Sequence, residues 1–360
     1  MVRKSPAAAC LGLVGVVLAL LVVAPQHAEA ARTPFHNLGS KFHAKGTGQG
    51  AQGLLEPLDS PIFQKIVSLQ KQYSLLYNTG KGGNYSKLTE MYCGHGFLIA
   101  DAEPEQGSFV TRDHMPAFYE FASTKVSHME TVPSVVFTES EEVLHEIGVM
   151  TTAEFPQQNY YVRWVYCNKM KEWKFDVHAL SVGALTFPPD ASTADLPAWS
   201  SPFLAKEARL DSGSSVLANV TEWDKQFAQT FSQLDFTALS DLYVAQVPPK
   251  FLPINVDYGF VTSKVDVGDY YSLRFYQEHN ITSFTRDPIH TMADLGSPSS
   301  VVHEYGVSTK ASAGGTTTGS KHYYYTRWVN EAAQDASKPS WRIDVDLLAV
   351  GLEQPTAATA

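Results

Sequence analysis

The chain is short of cysteine, of charge and of basic runs. It has Cys 3 in 360 residues, and no Cys-x-x-Cys pair of the kind that makes a redox site or half a metal ribbon. Charged residues are 18% of the chain, with Lys+Arg 27 against Asp+Glu 37. No basic run lies beyond the N-terminus, which argues against nucleic acid or an anionic membrane surface as partner. There is no Gly-x-Ser-x-Gly elbow and no phosphate-cradling loop, so nucleophile-elbow hydrolases and nucleotide enzymes are unsupported. His145-Glu146 and His303-Glu304 begin like a zinc-protease motif. Val149 and Val307 stand where its second histidine belongs, and both stretches read as strands rather than helices. The other histidines lack ligand spacing, so no metal and no cofactor is expected.

What is present begins with a targeting pattern. Arg3 and Lys4 precede an apolar run from Leu11 to Val23, and Ala28-Glu29-Ala30 has the small-x-small form of a cleavage site. Residues 1–30 read as a signal peptide, which implies a secreted, extracellular protein. Cleavage removes Cys10 and takes the net charge from −10 to about −11. No later run reaches spanning length, so no membrane association is expected after cleavage. Cys93 and Cys167 remain, to be read either as one disulfide in an oxidising compartment or as two buried thiols. Asn84, Asn219 and Asn280 each open an Asn-x-Ser/Thr triplet and are candidate glycan sites.

The strongest pattern is a stretch that occurs twice. Tyr160-Tyr161-Val162-Arg163-Trp164-Val165-Tyr166 is followed by Trp173-Lys174-Phe175-Asp176-Val177-His178. Later the chain reads Tyr324-Tyr325-Thr326-Arg327-Trp328-Val329, then Trp341-Arg342-Ile343-Asp344-Val345-Asp346. Both alternate and are rich in aromatic and β-branched residues, as strands are. The short polar segment Asn168–Glu172 makes the first pair a hairpin. A turn centred on Lys169-Met170 sets Arg163 opposite Asp176, Tyr161 opposite His178, Val162 opposite Val177 and Trp164 opposite Phe175. One face is then aromatic and the other carries Tyr161, Arg163, Lys174, Asp176 and His178.

Other segments repeat in the same order. Asp235–Tyr243 matches Asn84–Tyr92, Phe275-Tyr276 echoes Phe118-Tyr119, and the run from Val302 to Val307 echoes Leu144 to Val149. Insertions fall between the matching segments, as in a duplicated fold. The division is 31–58 flexible tail, 59–183 first domain, 184–214 Ser/Pro-rich linker, 215–351 second domain and 352–360 tail. Ser60-Pro61 opens a helix that Gly80 ends. Helices at Asn84–Tyr92 and Arg112–Ser123 and a strand at Gly96–Ala100 follow, then strands at Val132–Thr138 and Val143–Thr152. Thr221 reads as the cap of the helix that opens the second copy.

Helices followed by a run of antiparallel strands is an α+β order. The order, the Tyr-Asn-Thr-Gly ending of the first helix and the Trp-Lys-Phe-Asp strand resemble the SnoaL-like and nuclear-transport-factor-2-like superfamily. The resemblance covers 59–183 and 215–351. It implies two tandem cone-shaped domains, each a curved antiparallel sheet covered on its concave face by about three helices. The superfamily's cone serves isomerases, cyclases, dehydratases, hydrolases and pure binding modules alike, so the likeness leaves function open. In its ketosteroid-isomerase branch a helix tyrosine and an aspartate at a strand end do the chemistry. Tyr73 and Asp101 stand in similar places, where a phenol and a desolvated carboxylate suit proton transfer. Phe227 and Thr262-Ser263-Lys264 replace them in the second copy.

A second constellation is the polar cluster of His145, Tyr161, Arg163, Asp176 and His178 with His303, Arg327 and Asp344. It reads as an anion or acid–base site, or as cross-strand charge pairing at a contact between the two copies, an internal pseudo-dimer. Three functions follow: binding of a small hydrophobic molecule in the cone; a cofactor-free isomerase, cyclase, hydrolase or oxygen-using enzyme in the first copy; or a structural extracellular module.

Overall fold

The structure, a computed structural model, describes residues 54–80, 85–100, 109–154, 158–180, 205, 208–210, 213–244, 250–253, 264–313, 320–333 and 341–348. The expected signal peptide, most of the expected 31–58 tail, most of the 184–214 linker and the C-terminal tail lie outside these residues, as do Asn84 and Asp101.

Ser60 starts the first helix, α1 (Pro61–Thr79), by accepting the Phe63 N–H on its side-chain oxygen at 3.1 Å. Pro61 at the first helical position forfeits no bond there, and the Gly80 N–H closes the last turn on the Leu76 and Tyr77 carbonyls. Phe63, Ile66, Gln70, Tyr73 and Tyr77 form its buried face, at the three- and four-residue spacing that keeps one side inward. The next helix, α2 (Ser86–Thr89), is a single turn, because Tyr92 already belongs to β2 (Tyr92–Ile99). After β3 (Phe109–Thr111), Arg112–His114 makes a 3₁₀ turn, and α3 (Met115–Ala122) carries Pro116 in its first turn.

Four long strands then build the sheet: β4 (Met129–Ser140), β5 (Val143–Thr152), β6 (Gln158–Cys167) and β7 (Glu172–Ala179). With β1 (Leu54–Leu55) at one edge, the order is β1-β4-β5-β6-β7-β2-β3. Part of the expected flexible tail is therefore a short edge strand, Leu54 and Leu55 pairing with Thr138 and Phe137. The sheet is antiparallel except where β2 lies parallel to β7.

The later half follows the same plan. Its first helix, α4 (Ser215–Ser232), starts after Ser214 and runs through Thr221, which is interior rather than a cap. Asp235 does cap α5 (Phe236–Ser240), accepting from the Ala238 N–H at 2.9 Å. After β8 (Lys250–Pro253), α6 (Lys264–Tyr270) passes directly into a π-helix at Tyr271–Glu278. Strands β9 (Ile281–Ala293), β10 (Val301–Ser312), β11 (Ser320–Asn330) and β12 (Trp341–Leu348) complete a sheet of order β8-β12-β11-β10-β9, again with one parallel pair, β12 and β8. The fold is α+β, with two curved sheets and helices on the inner face of each.

Three apolar clusters hold it. One joins α1, α2 and α3 to the inner face of the first sheet through Phe63, Ile66, Tyr73, Phe118, Trp164 and Phe175. Its counterpart joins α4, α5, α6 and the π-helix to the second sheet through Phe227, Phe231, Tyr271, Trp328 and Ile343. The third draws on both sheets, with Phe97, Tyr161 and Val177 packed among Tyr305, Tyr325 and Val345. Each sheet is thus buried on both faces.

The hairpin register departs from the expected one at a single point. Trp164 pairs with Phe175 as expected, and Tyr166 with Trp173, but Arg163 pairs with Val177, Val162 with His178 and Tyr161 with Ala179. Asp176 is an extra residue, a β-bulge between the pairs of Arg163 and Trp164. A bulge shifts everything beyond it by one position. Val177 therefore faces the other sheet, and His178 turns inward instead of joining Tyr161 and Arg163. The second hairpin has its bulge in the same place, Trp328 pairing with Ile343 and Arg327 with Val345, so Asp346 turns inward as well.

Candidate functional site

Inside the first cone the buried polar groups form two hydrogen-bonded sets. The first is a chain of phenols ending on an imidazole. Tyr73 OH lies 3.2 Å from Tyr119 OH, Tyr119 OH lies 2.7 Å from Tyr92 OH, and Tyr92 OH lies 2.7 Å from His178 Nδ1. Four elements supply it: α1, β2, α3 and β7. His178 Nε2 is buried and has no hydrogen-bond partner. Its ring stacks on Phe175 at 4.6 Å and meets Tyr73 edge-on at 4.9 Å. Burial alone lowers the His178 pKa to about 3, so the ring is neutral at ordinary pH. Burial likewise pushes the Tyr73, Tyr92 and Tyr119 phenols well up, keeping all three protonated.

The second set is centred on Glu146. Its Oε2 accepts from Gln70 Nε2 at 3.0 Å and from Trp164 Nε1 at 2.6 Å, and its Oε1 accepts from Tyr160 OH. Thr131 donates to Gln70 Oε1 at 2.8 Å and so fixes the amide. Gly148 makes the Tyr160 contact geometrically possible, because a Cβ there would lie 2.3 Å from the Tyr160 ring. Burial raises the Glu146 carboxyl to about 7, against the pull of its three donors. A carboxyl that titrates near neutrality beside neutral phenols and a neutral imidazole suits proton transfer or recognition of a polar head group.

The second cone keeps the frame and changes the chemistry. By position in the matching elements, Asp224 stands for Gln70, Phe227 for Tyr73, Arg286 for Thr131, Glu304 for Glu146, Tyr324 for Tyr160 and Asp346 for His178. Arg286 Nη2 binds both Asp346 oxygens, at 2.5 and 2.6 Å, and Nη1 meets Thr326 at 3.1 Å and Asp224 at 4.0 Å. Tyr243 OH donates to Asp346 at 2.5 Å, and the guanidinium lies 4.3 Å over the Phe227 ring. Burial first, then the neighbouring Glu304, raises the Asp224 carboxyl well up. This interior is an ion cluster in which Asp346 fills the position of His178 and pairs with Arg286, while both Asp224 oxygens, Glu304 Oε2 and Arg286 Nε have no hydrogen-bond partner.

Of the expected polar cluster, the structure brings seven members together between the sheets and leaves one out. His145 Nδ1 meets Tyr161 OH at 2.8 Å and its Nε2 meets Glu139 at 2.6 Å. His303 repeats this with Tyr325 at 2.9 Å and Asp294 at 3.0 Å. Arg163 pairs with Asp176 and Arg327 with Asp344, in both cases onto the bulge residue. The Tyr161 and Tyr325 rings meet across the contact at 6.3 Å. The omitted member is His178.

Tyr73 takes part in the inner site, and Asp101 falls outside the described residues. The residues that sequence reasoning missed are Glu146, Tyr92, Tyr119, Tyr160 and Gln70. The recurring His-Glu pair was the available signal for Glu146, because alternation puts its histidine and glutamate on opposite faces of one strand. Cys93 and Cys167 are both free thiols, so the disulfide is not formed; Cys93 Sγ lies 3.4 Å from Asp176. Asn219 and Asn280 are exposed. No described helix is long and apolar enough to cross a membrane.

No family model matches the chain, and no curated protein matches it. Solved structures do show a likeness. An NTF-2-like protein of unknown function from Shewanella oneidensis is 15% identical, with 33% of this chain and 97% of that one covered and a TM-score of 0.27. A domain of unknown function with a cystatin-like fold from Nostoc punctiforme is 14% identical, over 33% of this chain and 75% of that one, with a TM-score of 0.27. An NTF2-like protein of unknown function from Pseudomonas putida is 9% identical, over 33% and 87%, with a TM-score of 0.24.

Proposed function

We propose that the protein is a secreted, glycosylated binder of a small, mainly apolar molecule, held in the first cone with its one polar group on His178. The observation that carries this is the buried, unpartnered Nε2 of His178 at the end of a phenol chain and among aromatic rings. A buried polar atom without a partner costs roughly 1–3 kcal/mol. A hydroxyl or carbonyl brought by a ligand offsets that cost and is oriented by it. In the second cone Asp346, ion-paired to Arg286, stands at the position of His178, so this site occurs once per chain. The two halves act as an internal pseudo-dimer joined through Tyr161 and Tyr325, and the exposure of Asn219 and Asn280 fits glycan attachment.

The test is mass spectrometry of the protein from its own secretion, native against denatured, with wild type beside His178→Leu. A molecule released from wild type and absent from the variant supports the reading. A wild type without a released molecule, joined to a variant of equal or greater stability, sinks it.

A second reading rests on a different observation, the Glu146 carboxyl near neutrality. In this version the first cone is a cofactor-free acid–base enzyme, with Glu146 moving the proton and the Tyr73–Tyr119–Tyr92 chain supporting the developing charge. Glu146→Ala would then abolish turnover of a released molecule without abolishing its binding.

A further inference from the structure

The first helix of each cone reaches the sheet through one buried polar side chain, and the two copies differ there. In the first cone it is Gln70 of α1, whose amide donates to Glu146 at 3.0 Å. In the second it is Asp224 of α4, which neighbours Glu304 of β10. Asp224 is 4% exposed and Glu304 0%. Glu304 Oε1 accepts from Tyr324 OH at 2.8 Å, whereas its Oε2 and both Asp224 oxygens have no hydrogen-bond partner. Two ionised carboxylates are acceptors only, so neither can bond the other. A proton turns one of them into a donor, and the two stand close enough to share it.

The charges around the pair point the same way. α4 packs against β9, β12 and α5. From β9 comes Arg286, and from β12 comes Asp346. The guanidinium is committed to Asp346 at 2.5 and 2.6 Å and stands 4.0 Å from Asp224. Tyr243 and Tyr271 also turn to Asp346, at 2.5 and 3.5 Å, and α5 itself carries no titratable side chain. Arg342 of β12 lies over the Trp223 ring at 4.5 Å. Glu222 and Lys225 are exposed on α4 and meet one another at 3.7 Å. Lys310 and His322 stand farther along β10 and β11. Fully ionised, the buried cluster would set three carboxylates, Asp224, Glu304 and Asp346, against one guanidinium. Like charges held this close in a dry interior do not both persist.

We propose that Asp224 and Glu304 share one proton and that this proton fastens α4 to the second sheet, making the second cone a pH-sensitive closure that is tight in acid and loosens as pH rises. Burial is the first cause that holds both carboxyls above their ordinary values, with Glu304 adding to it at Asp224. The fold therefore keeps a proton that the unfolded chain gives up near 3.8 and 4.5. The pair's contribution to stability is complete below that range and is lost as pH rises through the folded value. The device is separate from His178 and needs no bound molecule.

Hydrogen–deuterium exchange of α4 in the full chain tests this, with wild type beside Asp224→Asn. Asn keeps the shape of Asp and offers an amide donor at every pH, as Gln70 does in the first cone. In wild type the protection factors of α4 are expected to fall by at least about tenfold between roughly pH 5 and pH 9, and in Asp224→Asn to stay level. In urea melts the folding equilibrium constant of wild type relative to the variant is expected to drop by up to about tenfold per pH unit over the same range. Where Asp224→Asn does not fold, Glu304→Gln supplies the same comparison. Level protection of α4 in wild type, or a fall of equal size in the variant, would overturn the proposal.

Discussion

At the scale of single residues, the first cone is governed by two groups whose protons respond to pH in opposite directions. Glu146 ionises near 4.5 in the unfolded chain and at about 7 in the fold. Between those values the folded chain keeps a proton that the unfolded chain has lost, so this group's contribution to stability falls as pH rises. His178 titrates near 6.5 unfolded and at about 3 folded. Below 6.5 the unfolded chain gains a proton that the fold refuses, so its contribution falls as pH drops. In urea melts the stability of wild type relative to His178→Leu is expected to fall on acidification, by about 1.4 kcal/mol per pH unit between pH 6 and 4. A difference that is flat over that range would mean the ring is already charged or solvated in the fold. Trp164→Ala should cost roughly 3–5 kcal/mol, since it also removes a donor from Glu146, and the loss should be larger at pH 8 than at pH 5.

At the scale of elements, the bulges at Asp176 and Asp344 decide which side chains meet. The start and end of the first helix, the two hairpins and the core of the strands beside them were legible in the sequence, because Ser60-Pro61, Gly80 and the Trp/Phe alternation are local signals, whereas the expected cap at Thr221 lies inside its helix. The bulge was not. Arg163 reaches Asp176 whether the two are directly opposed or diagonal, so the charge pair fits both registers and only the fate of His178 separates them. The inner site was illegible for a related reason. Glu146, Tyr92 and Tyr119 lie on three different elements, and nothing local ties them together. Deleting Asp176 should restore the regular register, carry the histidine from the phenol chain to the sheet contact, and extinguish the hydrogen-bonded signature of its Nδ1 by nuclear magnetic resonance. Gly306→Ala tests the paired strand directly: its Cβ would sit 2.4 Å from the Asp287 carbonyl, an overlap expected to cost about 1–3 kcal/mol in a thermal melt.

At the scale of the whole molecule, the surface between the sheets behaves as a third core. Phe97, Ile147, Tyr161 and Val177 from one sheet and Tyr305, Tyr325 and Val345 from the other are all buried there. Either half expressed alone would expose that face. Residues 54–183 by themselves are expected to self-associate in analytical ultracentrifugation, and Tyr161→Arg to turn that species into a monomer. A stable monomer of the unaltered half would show that the face tolerates water.

Tyr161 faces Tyr325 where, in an assembly of two identical chains, a residue would face itself. Identical chains share one gene, so a substitution on one side is obligatory on the other. A single polypeptide is free of that constraint. One interior has a histidine where the other has an aspartate, and each was open to selection without disturbing its neighbour. The covalent link thereby makes asymmetry heritable: either half of this chain can change without changing the other.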